Sequence, residues 1–92
     1  MTDQMSEATK EKLVLLIEEC GEVIQAATKI LRFGLYSTYN SGETNVNALE
    51  REIGDVQAAV EQLTSANTLN PLSIHRYCIE KRDYLKQLTE GE

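Results

Sequence analysis

The sequence predicts an all-α protein of three helices, and three observations indicate this fold. Apolar residues recur at intervals of three and four along residues 6–33 and 45–65, and again after Pro71. Of the 92 residues, 41% are hydrophobic, one is proline and five are glycine, which is typical of a folded helical chain. The chain is therefore expected to form one domain, residues 1–92, with a frayed segment at 1–5 and a loop at 34–45.

The first predicted helix is long. It begins near Ser6 and ends at Phe33, where Gly34 provides a residue suited to the C-terminal cap. The apolar positions expected to face the core are Leu13, Leu16 or Ile17, Cys20, Ile24, Ala27 and Leu31. Such a helix is about 40 Å long, whereas a compact domain of this size has a radius of gyration of about 12 Å. It is therefore expected to extend beyond its own domain with apolar residues uncovered.

The loop at 34–45 contains glycine, serine, asparagine and threonine without apolar periodicity. Its two tyrosines, Tyr36 and Tyr39, are expected to pack on the domain, with a place in a ligand pocket as the alternative. The loop separates the long helix from two shorter ones. It is therefore the main break in the helical pattern.

Two shorter helices are predicted after this loop. The second begins near Asn45 or Asn47, either of which is a suitable N-cap, and ends near Ser65. After a short connection, the third begins at Pro71 or at Ser73 and ends near Leu88. Three helices leave a bundle incomplete, so oligomerisation is expected to complete a four-helix-type bundle.

The apolar stripe of the third helix is interrupted by a lysine. The stripe consists of Ile74, Cys78, Lys81, Leu85 and Leu88. A lysine at such a position either extends its ammonium to the surface or contacts an anion. Lys81 is therefore a candidate ligand contact.

Charge and composition exclude several classes of function. A net charge of −6 argues against nucleic-acid binding and against docking on anionic membranes. No apolar run approaches the roughly 20 residues of a membrane span, and the polar N-terminus does not resemble a signal peptide. Cys20 and Cys78 are expected to be buried free thiols, and a disulfide between them is the alternative. These features predict a cytoplasmic protein.

Two acidic motifs carry the strongest functional signal: EECGE at residues 18–22 and EREIGD at residues 50–55. Each places carboxylates three residues apart, Glu19 with Glu22 and Glu52 with Asp55, about 60° apart around a helix. Like charges at this spacing repel, and a hard divalent cation such as Mg²⁺ relieves the repulsion. For either pair alone, a solvated acidic face is the alternative.

These motifs resemble the paired E-x-x-E and E-x-x-D signature of the MazG-like, all-α nucleoside triphosphate pyrophosphohydrolases. The segments KILRFG and LEREIGDVQAAVEQL also resemble this family, so the resemblance covers residues 13–63. A weaker similarity is found in IEKRDYLKQL. The resemblance implies a single MazG-like helical domain that cleaves a nucleoside triphosphate at the α-phosphorus, giving a nucleoside monophosphate and pyrophosphate. It also implies a homodimer or a homotetramer.

The resemblance implies roles for individual residues. The expected metal ligands and catalytic carboxylates are Glu19, Glu22, Glu52 and Asp55, which would bind Mg²⁺ or, as a substitute, Mn²⁺. Glu18 or Glu22 is a candidate general base for the attacking water. The candidate substrate contacts are Lys29, Arg32, Lys81 and Tyr84.

Two other functions stay open. A non-enzymatic helical regulatory or interaction dimer would be expected to have lost part of the carboxylate set, and here all four are present. A hydrolase of a related phosphorylated nucleotide, such as phosphoribosyl-ATP, would be expected to carry more basic residues. The 34–45 loop makes the interval between the motifs long for the family and lies near the expected base-binding region, so base and sugar preference stay open.

Overall fold

The computed structural model describes residues 4–38 and 42–90, and these form three α-helices. α1 is Glu7–Phe33, α2 is Asn45–Ser65 and α3 is Pro71–Glu90. The prediction of an all-α, three-helix chain is confirmed. Tyr39 and most of the segment 1–5 lie outside the described residues. None of the three helices combines the length and the apolar character that crossing a membrane requires.

Both ends of α1 are fixed by caps: Ser6 at the start and, as the sequence predicts, Gly34 at the end. The Ser6 hydroxyl accepts a hydrogen bond from the Thr9 N–H at 3.1 Å, satisfying one of the unpaired amides of the first turn. At the other end, Gly34 has a φ of 96°, a backbone conformation that favours glycine. Its N–H donates to the Ile30 carbonyl at 2.8 Å, which closes the last turn.

α2 begins at Asn45, as the sequence predicts, but its N-cap is Thr44 rather than either of the predicted asparagines. The Thr44 hydroxyl accepts from the Asn47 N–H at 3.2 Å. Asn45, one of the two predicted caps, is instead buried, and its side-chain amide donates to the Gly34 carbonyl at 3.0 Å. Its own N–H donates to the Ser37 carbonyl at 3.0 Å. Asn45 therefore ties the loop between α1 and α2 to the start of α2.

Tyr36 in this loop does not pack on the domain as the sequence predicts. Its side chain is 76% exposed, and it is not among the residues that line the neighbouring cavity. Among the described residues of the loop, hydrogen bonds from backbone groups and from Asn45, rather than the Tyr36 ring, connect it to the helices.

Asn45→Ala is expected to lower the free energy of unfolding by about 1–3 kcal/mol, because it leaves the Gly34 carbonyl without its side-chain donor. Gln57→Ala is the matched control, since Gln57 is exposed on the same helix and its loss should change the free energy of unfolding by less than about 0.5 kcal/mol. Urea denaturation followed by circular dichroism measures both. Equal losses for the two variants would contradict the role assigned to Asn45.

α1 and α2 form an antiparallel hairpin, the one helix pair with extensive contacts in the described part of the chain. Leu15 near the start of α1 lies by Gln62 near the end of α2, and Phe33 at the end of α1 lies by Asn45. The buried apolar side chains are Ala26, Ala59 and Leu63. The core is therefore small and lies between these two helices.

The apolar face of α1 is divided, which corrects the predicted stripe. Ala26 is buried against α2, whereas Ile24, two residues earlier and about 200° away around the helix, is 67% exposed. Ile17 and Leu31 share the exposed face with Ile24, since they lie seven residues before and seven residues after it. The members of the predicted stripe all lie within about 100° of one another around the helix, on a side that does not include Ala26. α1 also carries apolar residues on the side facing α2, so periodicity selected the wrong side.

α3 does not pack against the hairpin. None of its residues is buried, so its predicted apolar stripe, including Lys81, faces solvent. The radius of gyration is 16.7 Å, compared with about 12 Å for a compact domain of this length. The molecule is therefore extended, with dimensions of 46 × 41 × 23 Å.

The two cysteines are free, but neither is buried, which corrects the second half of their prediction. Cys20 is exposed on α1, and Cys78 is exposed on α3, where its Sγ accepts a weak hydrogen bond from Arg82 at 3.8 Å. Their exposure has the same cause as that of the apolar residues: the predicted stripes that contain them do not lie in the core of the single chain.

Candidate metal centre

Three carboxylates from α1 and α2 meet across the hairpin. Glu19 of α1 and Glu52 and Asp55 of α2 each place an oxygen within 4.8 Å of the other two. The two acidic motifs are far apart in sequence, and the antiparallel packing of the helices brings them to the same level. The resulting cluster, here called the acidic cluster, could hold a metal ion.

The acidic cluster has a buried side and an open side. Glu52 is 8% exposed, because it lies seven residues before the buried Ala59 and shares its helix face toward α1. Glu19 is half-buried, and Asp55 is exposed at the rim. One ligand group is therefore held within the protein while the opposite side stays accessible to a ligand from solvent.

Arg51 holds Glu52 in place. Its Nη1 donates to Glu52 Oε1 at 2.5 Å, and its Nε and Nη2 donate to the two carboxylate oxygens of Glu43 at 3.3 and 3.2 Å. These hydrogen bonds lower the pKa of Glu43 and raise the pKa of Arg51. The guanidinium therefore stays charged, orients Glu52 and offsets part of the negative charge of the cluster.

No sequence pattern predicts this arrangement of Arg51 and Glu43. Adjacent residues on a helix do not face each other, so spacing gave no reason to pair Arg51 with Glu52. Glu43 lies in the loop before α2, where no periodic pattern applies. The one available signal was the presence of an arginine inside an otherwise acidic motif.

The pKa of Glu19 is raised above its usual value of 4.5. Partial burial is the main cause, followed by the negative charges of Asp55, Glu52, Glu22 and Glu18.

Mg²⁺ binds carboxylate oxygens at about 2.1 Å, so oxygens that share one ion lie roughly 3–4 Å apart. The oxygens of the acidic cluster lie within 4.8 Å of one another and could hold a metal ion, and an all-carboxylate donor set is the type that hard divalent cations favour.

In the absence of divalent metal, the raised pKa of Glu19 predicts that the stability of the fold depends on pH. The folded protein holds the Glu19 proton more tightly than the unfolded chain does, so stability falls as pH rises from about 4.5 through the raised pKa. Glu19→Gln should remove that part of the decline. Urea denaturation of both proteins in EDTA from pH 4 to 7 measures the difference, and parallel curves would contradict the prediction.

Glu22 and Glu18, the other two predicted carboxylates, lie beside the acidic cluster rather than within it. Glu22 lines a cavity of about 120 Å³ that Glu52 also lines. Glu18 is exposed and contributes the smallest of the four charge effects on Glu19. The three-carboxylate set therefore lacks one of the four predicted metal ligands, Glu22, which adjoins it through this cavity.

The candidate substrate contacts fall into two groups. Lys29 lines the small cavity and also a larger one of about 410 Å³, whose other lining residues are Phe33, Ser37, Thr38 and Asn45. The Arg32 guanidinium lies over the Phe33 ring, 5.1 Å from its centroid. These two cations are therefore on the hairpin, on the side of the larger cavity.

The other two candidates lie together on α3. The Lys81 ammonium is 5.3 Å from the centroid of the Tyr84 ring, an arrangement that favours a cation–π interaction. Because α3 does not pack on the hairpin, the single chain does not bring this pair to the acidic cluster.

Comparison with known proteins assigns the chain to no family. No family model, curated protein or solved structure matches it. Any function proposed for the chain therefore depends on the motif residues and on the geometry of the acidic cluster.

Proposed function

We propose that the protein is a Mg²⁺-dependent nucleoside triphosphate pyrophosphohydrolase. The observation that carries the proposal is the meeting of Glu19, Glu52 and Asp55, with oxygens within 4.8 Å of one another. These residues belong to motifs that resemble the MazG-like signature, and their oxygen-only donor set is the type that Mg²⁺ and Mn²⁺ favour. The resemblance supplies the reaction class, and the geometry of the cluster supports it.

The residues of the cluster have distinct parts in this proposal. Glu19, Glu52 and Asp55 would hold the ion, and Arg51 would keep the buried Glu52 in position. When bound, the ion supplies positive charge to phosphate oxygens and lowers the pKa of a coordinated water. Glu18 or Glu22 would accept a proton from the attacking water. An acidic chain needs such charge compensation to bind a polyphosphate.

Glu19 and Asp55 line a cavity of about 400 Å³ on one side of the cluster. Two further cavities, on the side toward the 34–45 loop, suggest how a substrate would lie. The larger one, about 410 Å³, is within the size range of small-molecule sites and includes the aromatic ring of Phe33. We place the base and sugar there and the phosphates over the acidic cluster. Lys29 lines both cavities, so its ammonium would contact the phosphates between these two parts.

The enzyme is proposed to work as a homodimer or homotetramer. The extended shape and the exposed apolar side chains of α1 and α3 support assembly. The same exposed faces favour the second candidate function, a regulatory or interaction dimer without activity. The complete acidic cluster favours the enzyme, because an interaction module has no need of three converging carboxylates.

The test is a panel of ribonucleoside and deoxyribonucleoside triphosphates incubated with the protein and Mg²⁺. Pyrophosphate and nucleoside monophosphate are measured together by chromatography, with EDTA as the control. We expect equal amounts of both products, no release in EDTA, and a preference that identifies the base and sugar. Nucleoside diphosphate with orthophosphate would contradict cleavage at the α-phosphorus. No release from any substrate by the folded protein would favour the interaction dimer.

A further inference from the structure

α3 has an apolar stripe with no partner in its own chain. The stripe consists of Ile74, Cys78, Lys81, Leu85 and Leu88, at alternating intervals of four and three residues. This spacing is the heptad repeat of helices that pack lengthwise against another helix. Every residue of α3 is nevertheless partly or fully exposed.

The outer face of α1 has a matching pattern. Its residues are Val14, Ile17, Gly21, Ile24, Thr28 and Leu31, at alternating intervals of three and four, and they lie opposite the face that contacts α2. The four apolar side chains of this outer face are all exposed. The stripes on α1 and α3 are of similar length, about 26 and 21 Å.

The accessible surface of the chain is larger than that of a folded monomer. It measures 7552 Å², whereas a monomeric protein of 10.3 kDa exposes about 5,400 Å². The excess is roughly 2,000 Å² per chain. A homodimer in which each chain buries that area falls within the range of obligate interfaces, which is about 2,000–5,000 Å² in total. The uncovered area is therefore sufficient for a stable dimer.

Charge favours α1 as the surface on which α3 packs. α3 carries four basic and three acidic side chains, whereas α1 carries four basic and five acidic ones. Lys81 is the central residue of the α3 stripe, so packing two copies of α3 in register would oppose two ammonium groups. Against α1, the same lysine would face a helix on which Glu18 lies about 60° around the axis from Gly21, at the edge of the outer face.

Gly21 provides room for this contact. A Cβ atom added at Gly21 would meet nothing within 4 Å, so the centre of the outer face has open space above it. Aligning the centres of the two stripes places Lys81 opposite this gap. Its aliphatic stem can lie over the glycine while its ammonium reaches a glutamate at the edge of the face.

We propose that α3 of one chain packs along the outer face of α1 of a second copy, and that the second copy returns the contact. The two contacts are related by a two-fold axis, so each chain contributes one α3 and one α1 face. This pairing covers both unpartnered stripes at once and assigns a partner to the lysine within the α3 stripe.

The test measures molecular mass by light scattering during size-exclusion chromatography. The wild-type protein should have twice the chain mass of 10.3 kDa. Ile24→Glu on α1 and Leu85→Glu on α3 should each reduce the mass to that of one chain, with helical content checked by circular dichroism. Gln87→Glu makes a similar charge change on α3 outside the stripe and should leave the mass doubled.

Mixing the two dissociated variants distinguishes the reciprocal contact from other pairings. In a mixed dimer, one of the two α1–α3 contacts carries neither substitution, so the mixture should regain twice the chain mass. A mixture that stays at the mass of one chain would overturn the proposal, as would a monomeric wild-type protein or dissociation by only one variant. Because the readout is mass alone, its failure is distinguishable from a failure of the proposed activity.

Discussion

Glu52→Gln is expected to lower Mg²⁺-dependent pyrophosphate release by at least about 100-fold. Glu52 is the buried member of the acidic cluster, and the substitution replaces a charged ligand by a neutral amide of the same shape. The loss should not come from unfolding, because the change removes one of several mutually repelling charges. Initial rates in the triphosphate assay measure the effect, and thermal unfolding of the metal-free protein checks the fold.

The matched control for this prediction is Glu50→Gln. Glu50 belongs to the same motif and the same helix, but it is exposed and lies about 200° around α2 from Glu52. It carries the same charge and undergoes the same substitution, so the rate should change by less than about twofold. Similar losses in both variants would mean that the overall charge of α2, rather than the acidic cluster, governs the activity.

The parts of the fold that the sequence predicts correctly depend on local signals. Ser6 and Gly34 fix the ends of α1 through hydrogen bonds to residues within one turn. Apolar residues at intervals of three and four predict α2, and Leu63 near its end is buried. The meeting of Glu19 with Glu52 follows from the antiparallel packing of the two helices that carry the motifs.

The parts that the sequence does not predict depend on which of several partners a group selects. Asn45, Asn47 and Thr44 are all suitable caps, and the choice of Thr44 follows because the Asn45 amide bonds Gly34 instead. α1 is apolar on two faces, so periodicity alone cannot say that Ala26 is covered while Ile24 is exposed. The partners of these groups are set by tertiary contacts, which leave no local pattern.

Tertiary contacts, rather than local sequence, also determine where α3 packs. Its stripe predicts that the helix packs against something, but the pattern is the same whether the partner is α1 of its own chain or α1 of another. The Arg51 bridge between Glu43 and Glu52 is likewise a contact between a helix and a loop, outside any periodic rule. Sequence therefore indicates which surfaces need partners more reliably than which partners they have.

Leu63→Ala is expected to lower the free energy of unfolding by about 2–4 kcal/mol. Among the described residues, Leu63 is the large side chain that is fully buried, with an exposed fraction of 0%. Truncating it removes apolar contacts and leaves a cavity in a core that otherwise contains two buried alanines. Leu72→Ala is the matched control, because Leu72 is 77% exposed and lies outside the α3 stripe. It should cost less than about 0.5 kcal/mol.

The Leu63 variant also tests whether the acidic cluster and the helix pairing depend on each other. The cluster joins α1 to α2, so a metal ion that binds only the folded protein should stabilise the hairpin. At a Mg²⁺ concentration of about 100 times the Kd, the gain is about 2.7 kcal/mol, which would recover much of the loss. Thermal unfolding of Leu63→Ala with Mg²⁺ and with EDTA measures this recovery. An equal recovery in Leu63→Ala combined with Glu52→Gln would mean that Mg²⁺ stabilises the protein from outside the cluster.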